Sequence, residues 1–406
     1  MSGNDISEVL RKTAGELQPD LARLRRDLHA HPERGLDLPR TQAAVLEAIS
    51  GLDLEVSRGE ALTSVTAVLR GGRPGPAVLL RADMDALSLT EATGLDYASR
   101  TPGVMHACGH DLHTAALVGA ARTLAEHRDV LAGDVVFMFQ PGEEGWNGAG
   151  RMISEGVLDA AGERVRAAYG LHVRSYETPR GVFRSKPGTI MGATDSLTVT
   201  VHGKGGHASR PHVANDPVPV AAQIITSIQT MITRRFDPFD PVVVTVTSVE
   251  AGVVANIIPE RAVLAGTIRT FSETNRARVR TEIARMSEAI AQAYGMTAEA
   301  AFADGYPVTV NNADEYEFAA AVVRDSLGAE RFDPLDAPVA AAEDFSLVLN
   351  EVPGCFLFLG ATASEDPATA PSNHSPHAVF DDSVLADASF LLAELARRAL
   401  DRLAAS

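Results

Sequence analysis

Residues 105–128 read MHACGHDLHTAALVGAARTLAEHR. From Asp111 onward the stretch has the pattern of a helix, with Asp111 available as its N-cap. Around the start of that helix, His106, Cys108, His110, Asp111 and His113 crowd into eight positions of a chain that holds 12 His and 2 Cys. The apolar runs PAVLLRADMDAL (76–87) and GDVVFMFQPGEEG (133–145) flank it and read as strands. RVRAAYGLHV (164–173) continues the alternation of strand and helix, so this part of the chain is expected to be α/β.

Working outward, EVLRKTAGELQPDLARLRRDLHAHPE (8–33) is an amphipathic helix ending at Pro32, and TQAAVLEAISGL (41–52) is a second helix. TSVTAVLRGG (63–72) reads as another buried strand. The pattern changes near Lys186. There follow a strand (196–202), a helix (216–235), strands at 242–250 and 261–271, a helix (273–294) and a strand (297–304). That order, β-α-β-β-α-β, is the ferredoxin-like split unit. After Tyr306 the α/β style resumes with a helix (314–327), the strand GCFLFLG (354–360) and a helix (383–403). The expected organisation is a first domain in two pieces, 1–186 and 306–406, interrupted by an inserted domain at 187–305.

The bulk numbers agree. At about 150 residues per domain, 406 residues make two or three domains. Hydrophobic content of 45% and charged content of 22% are those of a globular protein. A net charge of −17 argues against a nucleic-acid partner. No apolar run approaches the ~20 residues that cross a bilayer, and the first residues are polar, so a cytoplasmic protein with no membrane partner is expected. Two cysteines, Cys108 and Cys355, make no disulfide framework.

Cys108 and His110 stand one residue apart, as residues sharing one side of an extended segment do. A thiolate and an imidazole together suit a borderline divalent metal; a lone C-x-H is equally a buried cysteine beside a surface histidine. FQPGEEGWNGAG (139–150) sets Glu143 and Glu144 just past an apolar strand, either as a solvated turn or as one metal ligand and one proton acceptor. His172 ends an apolar strand, and APSNHSPHAVFDD (370–382) carries His374 and His377 in a loop. Asp83 and Asp85 share one side of a strand end, where carboxylates orient ligand imidazoles. An α/β sheet binds at its carboxyl edge, which is where these strand-end residues fall.

RRDLHAHPE (25–33), RADMDAL (81–87), MHACGHDLHTAALVGAA (105–121), FQPGEEG (139–145), GLHV (170–173), GKGGHASRPH (203–212), NIIPE (256–260), GTIRTF (266–271) and AAEDFS (341–346) occur in this order. In this the chain resembles the dinuclear-metal aminoacylase/carboxypeptidase superfamily. The matching branch contains hippurate hydrolases, N-acyl-amino-acid amidohydrolases and auxin-conjugate hydrolases. The resemblance implies a metallopeptidase-like catalytic domain with the inserted ferredoxin-like unit as a satellite domain that mediates dimerisation. It implies two divalent ions per subunit (Zn, Mn, Co or Ni) on Cys108, His110, Glu144, His172 and His374. It implies a base at Glu143 and a carbonyl-polarising His207. Asn256 and Arg269 are expected to bind the substrate carboxylate, although a structural arginine in a strand is the competing reading for Arg269. Asp83, Asp85 and Asp111 are expected to support the ligands.

The implied activity is hydrolysis of an N-acyl amino acid to a carboxylic acid and a free amino acid, by a homodimer or homotetramer. Two readings compete. A dipeptidase or aminopeptidase on the same scaffold usually carries His-x-Asp, where this chain has RADMD. A non-catalytic metal-bound protein would be expected to lack Glu143. The chain also departs from the branch at Pro39, Ser88 and His377, and the last two leave its fine specificity open.

Overall fold

The computed structural model describes residues 3–405, which divide into two compact units. The first comprises the chain up to Gly188, Val310–Asp336 and the chain from Leu347 onward; the second comprises Thr189–Thr309 and Ala337–Ser346. The segment 337–346, expected to return with the first domain, thus belongs to the second unit. Backbone pairing is the reason: the Val339 N–H donates to the Ile190 carbonyl (2.8 Å), and the Gly192 N–H donates to the Val339 carbonyl (3.0 Å).

The first unit is built on an eight-stranded sheet. Its spatial order is Glu55–Arg58, Val65–Leu69, Ala132–Gln140, Arg73–Asp83, Ala167–Arg174, Gly354–Gly360, Phe183–Ser185 and Phe332–Pro334. Neighbouring strands from Ala132–Gln140 to Gly354–Gly360 run parallel, and nearly all their residues past the first few are buried. Such strands are covered on both faces, which is why they read as continuous apolar runs rather than alternating ones. The edge strand Glu55–Arg58 is exposed throughout and has no apolar signal, so the sequence did not mark it.

The helices Gly3–Ala30, His110–Glu126 and Leu385–Ala404 pack on one another, and the latter two pack on this sheet. The first runs through Pro19 without a break. Its amphipathic stripe (Leu10, Ala14, Leu21) is held in the core, and this tertiary packing outweighs the lost hydrogen bond.

Register decides what lies at the carboxyl edge. Asp83 pairs with Gln140, and Arg81 pairs with Gly170, so two residues on His172 is level with Asp83. The turn carrying Glu143 and Glu144 follows Gln140 directly. Helix His110–Glu126 begins after Gly109, whose φ is +82°. A Cβ there would stand 2.3 Å from Val173 Cγ2, so the turn into the helix requires glycine. This corrects the capping expectation for Asp111: it lies inside the first turn, and no side chain caps this helix.

The second unit contains an antiparallel sheet ordered Val242–Glu250, Arg261–Thr270, Ala193–His202, Thr297–Asp304. With helices Pro217–Arg235 and Glu273–Ala293 it makes the ferredoxin-like arrangement anticipated from the element order. Asp216 and Ser272 cap these helices by accepting from Val218 N and Asn275 N. The alternating residues Leu197, Val199, Val201, Val242, Val244, Leu264 and Ile268 form one core with Val220, Ile224, Ile228, Val279 and Ile283. Among the described residues no helix is long and apolar enough to cross a membrane.

Two glycines test the helix packing of the first unit. A Cβ at Gly119 would stand 2.1 Å from Ser389 Oγ and 2.7 Å from Leu21 Cδ1, whereas one at the exposed Gly15 meets nothing within 4 Å. Gly119→Ala should lower the melting temperature, at a cost of about 1–3 kcal/mol from overpacking. Gly15→Ala should leave it unchanged or raise it, by about 0.5–1 kcal/mol of recovered helix propensity. Equal melting temperatures for the two variants would contradict the close packing of these three helices.

Candidate active site

The first unit gathers six of the expected side chains at the carboxyl edge of its sheet. Cys108 Sγ lies 3.3 Å from His172 Nε2 and 3.2 Å from His374 Nε2, and His374 Nε2 lies 3.2 Å from Glu144 Oε1. Of five groups among the described residues whose ligand atoms all lie within 4.8 Å of one another, three consist of these side chains: Cys108, His110 and His172; Cys108, Glu144 and His374; and His110, Glu143 and Glu144; the other two are Asp83, His110 and His113, and Glu143, Glu343 and Asp344. Two of these ligand groups share Cys108. The fit to metal ions rests on buried donor atoms that the protein satisfies poorly by itself. Both ring nitrogens of His110 are buried with carboxylates no closer than 3.5–3.6 Å, and Oε1 of Glu144 has only His374, a member of the same donor group, beside it. Buried polar atoms are seldom left so, and a mixed sulfur, nitrogen and oxygen donor set suits a borderline divalent ion.

Charge follows from this crowding. Burial pushes the Cys108 thiol up, but the imidazoles of His172, His110 and His374 outweigh it and hold the group well below its ordinary range. This favours the thiolate, the form that binds metal. Hydrogen bonds to Cys108 and Glu144 push His374 up to about 10. Burial, together with the nearby Cys108, raises Glu144. All three shifts express one fact: anionic sulfur and carboxylate face each other with only imidazoles between them. Cys355 is the opposite case, a fully buried strand cysteine whose thiol burial pushes up to about 12.

The supporting carboxylates do more than was expected. Asp85 approaches His110 Nδ1 at 3.5 Å, but its closer contacts are the backbone N–H groups of Glu143 (2.9 Å) and Glu144 (3.1 Å). One carboxylate thus fixes the turn that presents both glutamates. Asp83 approaches His110 Nε2 at 3.6 Å and binds Arg81 (2.7 Å) and His113 Nδ1 (2.5 Å). His113 Nε2 in turn accepts the Val173 N–H at 2.7 Å, so this imidazole braces the strand that carries His172. Sequence reasoning counted His113 among the crowded residues without giving it a role; its partners come from two other segments, and no local pattern reveals them. Asp111 supports no ligand imidazole. It binds Arg25 Nε and His29 Nδ1, each at 2.8 Å, and so ties the start of the ligand-bearing helix to helix Gly3–Ala30. His106 is buried as well; burial lowers it to about 3, which leaves it neutral.

His207, Asn256 and Arg269 belong to the second unit. His207 is exposed on the short strand Gly206–His207, paired with Ile257–Ile258, and its Nδ1 is bonded to Ser209. Asn256 adjoins it, its carbonyl accepting the Ala208 N–H at 3.0 Å. Arg269 lies within the four-stranded sheet and donates to Thr194 Oγ1 and to the Ile268 carbonyl. The departures from the family pattern find local uses. Pro39 occupies the first helical position of Pro39–Ala48, Ser88 accepts from Arg34, and His377 Nδ1 binds the Ala92 carbonyl.

Comparison with known proteins bears on this site. Thermostable carboxypeptidase 1 of Saccharolobus solfataricus is 37% identical over 385 residues, 94% of this chain and 95% of its own length. N-acetyl-L-cysteine deacetylase of Bacillus subtilis is 36% identical over 405 residues, 98% of this chain and 94% of its own. The crystal structure of the Bacillus subtilis YXEP protein, described as a dinuclear metal-binding peptidase of the M20 family, matches with a TM-score of 0.82. It is 33% identical and covers 95% of this chain and 99% of its own. Residues 79–398 match Peptidase family M20/M25/M40. With that match spanning the donor cluster and both units, the chain is a member of peptidase family M20/M25/M40.

Proposed function

We propose that this protein is a metal-dependent amidohydrolase that cleaves the amide bond of an N-acyl amino acid, releasing a carboxylic acid and a free amino acid. The observation that carries this reading is the pair of donor groups sharing Cys108, with Glu143 beside them. Cys108, His110 and His172 would hold one divalent ion, and Cys108, Glu144 and His374 a second. Ions bound there polarise a carbonyl and acidify water. The chain's own groups handle the proton. Glu143 accepts one from the attacking water as the water oxygen bonds to the carbonyl carbon. As the C–N bond breaks, Glu143 returns it to the leaving amine nitrogen. Asp85 holds the turn so that Glu143 and Glu144 keep separate tasks. His207 would donate to the developing oxyanion. Asn256 and Arg269 would receive the substrate carboxylate, Arg269 by exchanging its bond to Thr194.

The deacetylase relative supports an acyl amino acid as substrate. The carboxypeptidase relative supports a close variant, because the C-terminal residue of a peptide is itself an N-acylated amino acid. The two readings share a bond and a mechanism and differ in the acyl group. We further propose a homodimer formed through the second unit. Its sheet-edge strand Val242–Glu250 exposes Val243 and Val249, a surface suited to pairing with a second copy.

Assay of the purified protein on acetyl-, benzoyl- and indoleacetyl-amino acids and on peptides tests the substrate class, with elemental analysis giving the metal. Glu143→Gln should keep its metal and lose turnover by about 100-fold or more. Glu144→Gln should lose metal instead. Swapped phenotypes, or near-normal turnover of metal-loaded Glu143→Gln, would reverse the assignment. Cys108→Ala should lose metal and activity together, while Cys355→Ala keeps both and costs only packing. Full metal content in Cys108→Ala would remove the shared-thiolate arrangement. Light scattering at micromolar concentration should give a dimer or a multiple of it; an active monomer would contradict the proposed interface.

A further inference from the structure

We propose that Asn373 is the positioning residue that sets the spacing of the metal ligands, because its side-chain amide ties together the three segments that carry Cys108, His172 and His374. Its Nδ2 donates to the Cys108 carbonyl (3.3 Å) and the Val173 carbonyl (3.0 Å), and stands 3.8 Å from Cys108 Sγ. Its Oδ1 accepts from the Ser175 N–H (2.9 Å) and the Ser175 hydroxyl (3.0 Å). An amide has two donors and two acceptor sites; here both donors and the Ser175 N–H acceptor site are engaged, while the single Ser175 hydroxyl proton is shared between Oδ1 and the Pro371 carbonyl. Cys108 is itself a proposed ligand, Val173 follows His172, and Asn373 immediately precedes His374. One planar group thus reaches the backbone beside each of three ligands. This inference rests on the ligand set proposed above.

The segment it holds needs holding. His374 has a left-handed backbone, φ +68°, which costs a non-glycine residue conformational energy and persists only where the surroundings enforce it. The His374 N–H bonds the Ala107 carbonyl at 2.9 Å, and the Ser175 hydroxyl also bonds the Pro371 carbonyl at 2.8 Å. His110 and His172, by contrast, sit on a helix and a strand of the core. The group Cys108, Glu144 and His374 therefore depends on Asn373 more than the group Cys108, His110 and His172 does. Asparagine is specified by chemistry as well as by size. Aspartate would keep one acceptor oxygen toward Ser175, but it would turn its other oxygen, which has no proton to give, and a negative charge on two carbonyls and the Cys108 sulfur.

The test uses the full-length protein, stripped of metal and reloaded with Zn²⁺ or Co²⁺, in wild type, Asn373→Ala and the isosteric Asn373→Asp. Zn²⁺ affinity is read by chelator competition, and the thiolate-to-cobalt charge-transfer band reports on Cys108. Both variants should bind one Zn²⁺ as wild type does and the other about 10- to 100-fold more weakly, the usual effect of losing a group that orients ligands. The cobalt band should shift. Unchanged affinity for both ions with an unshifted band would overturn the inference, and so would equal weakening of both ions, which marks a general loss of structure. Should neither Asn373 variant fold, Ser175→Ala carries the test: a smaller loss confined to one ion supports the role, and no loss refutes it. A wild-type protein that binds no metal, or a Cys108→Ala protein that keeps both ions, would instead refute the ligand set itself.

Discussion

A thiolate buried beside a carboxylate is unfavourable in a protein interior unless positive charge is brought to it, and the first unit is organised around that requirement. Cys108 draws His172 and His374 within 3.3 Å, and Glu144 draws His374 from the other side. Each of these residues comes from a different segment, so the charge balance of one sulfur atom fixes the relative positions of a loop, a strand end and a turn. The parallel sheet makes this affordable in geometry: it delivers Asp83, Gln140 and His172 to the same level of its carboxyl edge, and loops only have to close the remaining gaps.

Around that cluster the supporting contacts fall on backbone as often as on side chains. Asp85 takes two consecutive N–H groups, His113 takes one, and Asn373 takes one N–H and gives to two carbonyls. A bond to a ligand's own side chain aims that ligand. A bond to the backbone beside it fixes the place from which any side chain there would act. Glu143 and Glu144 are neighbours of the same chemistry, and the turn that presents both is the one Asp85 grips. The buried set of Arg25, His29 and Asp111 performs the equivalent task for the start of the helix that carries His110.

The family match and the cluster together give metal-dependent hydrolysis a structural basis, and the two relatives are named for a deacetylase and a carboxypeptidase. For both substrates the reacting atoms are the same amide carbon and nitrogen. Discrimination between them belongs to residues that contact the acyl group, not to those that hold the ions or move the proton.

The elements and the ligand types were legible in the sequence because they are local. Period and composition reveal the ferredoxin-like order of 193–304 and the strand–helix alternation before it, and short motifs reveal Cys108, His110, Glu143 and Glu144. Asp216 and Ser272 each cap their own helix in the structure without having been read as caps, whereas the capping reading of Asp111 was misleading, because its carboxylate is taken by residues more than eighty positions away in helix Gly3–Ala30. The assignment of 337–346 to the second unit likewise depends on pairing with Ile190 and Gly192, far off in the chain. His113 and Asn373 gave no signal, since an imidazole or an amide acquires a role only from the groups that fold against it. What the sequence alone determined is which chemical groups the chain possesses and the local form of the segments that carry them. Which of those groups meet, and therefore which ones hold the others in place, was decided by long-range register and packing that only the tertiary structure contains.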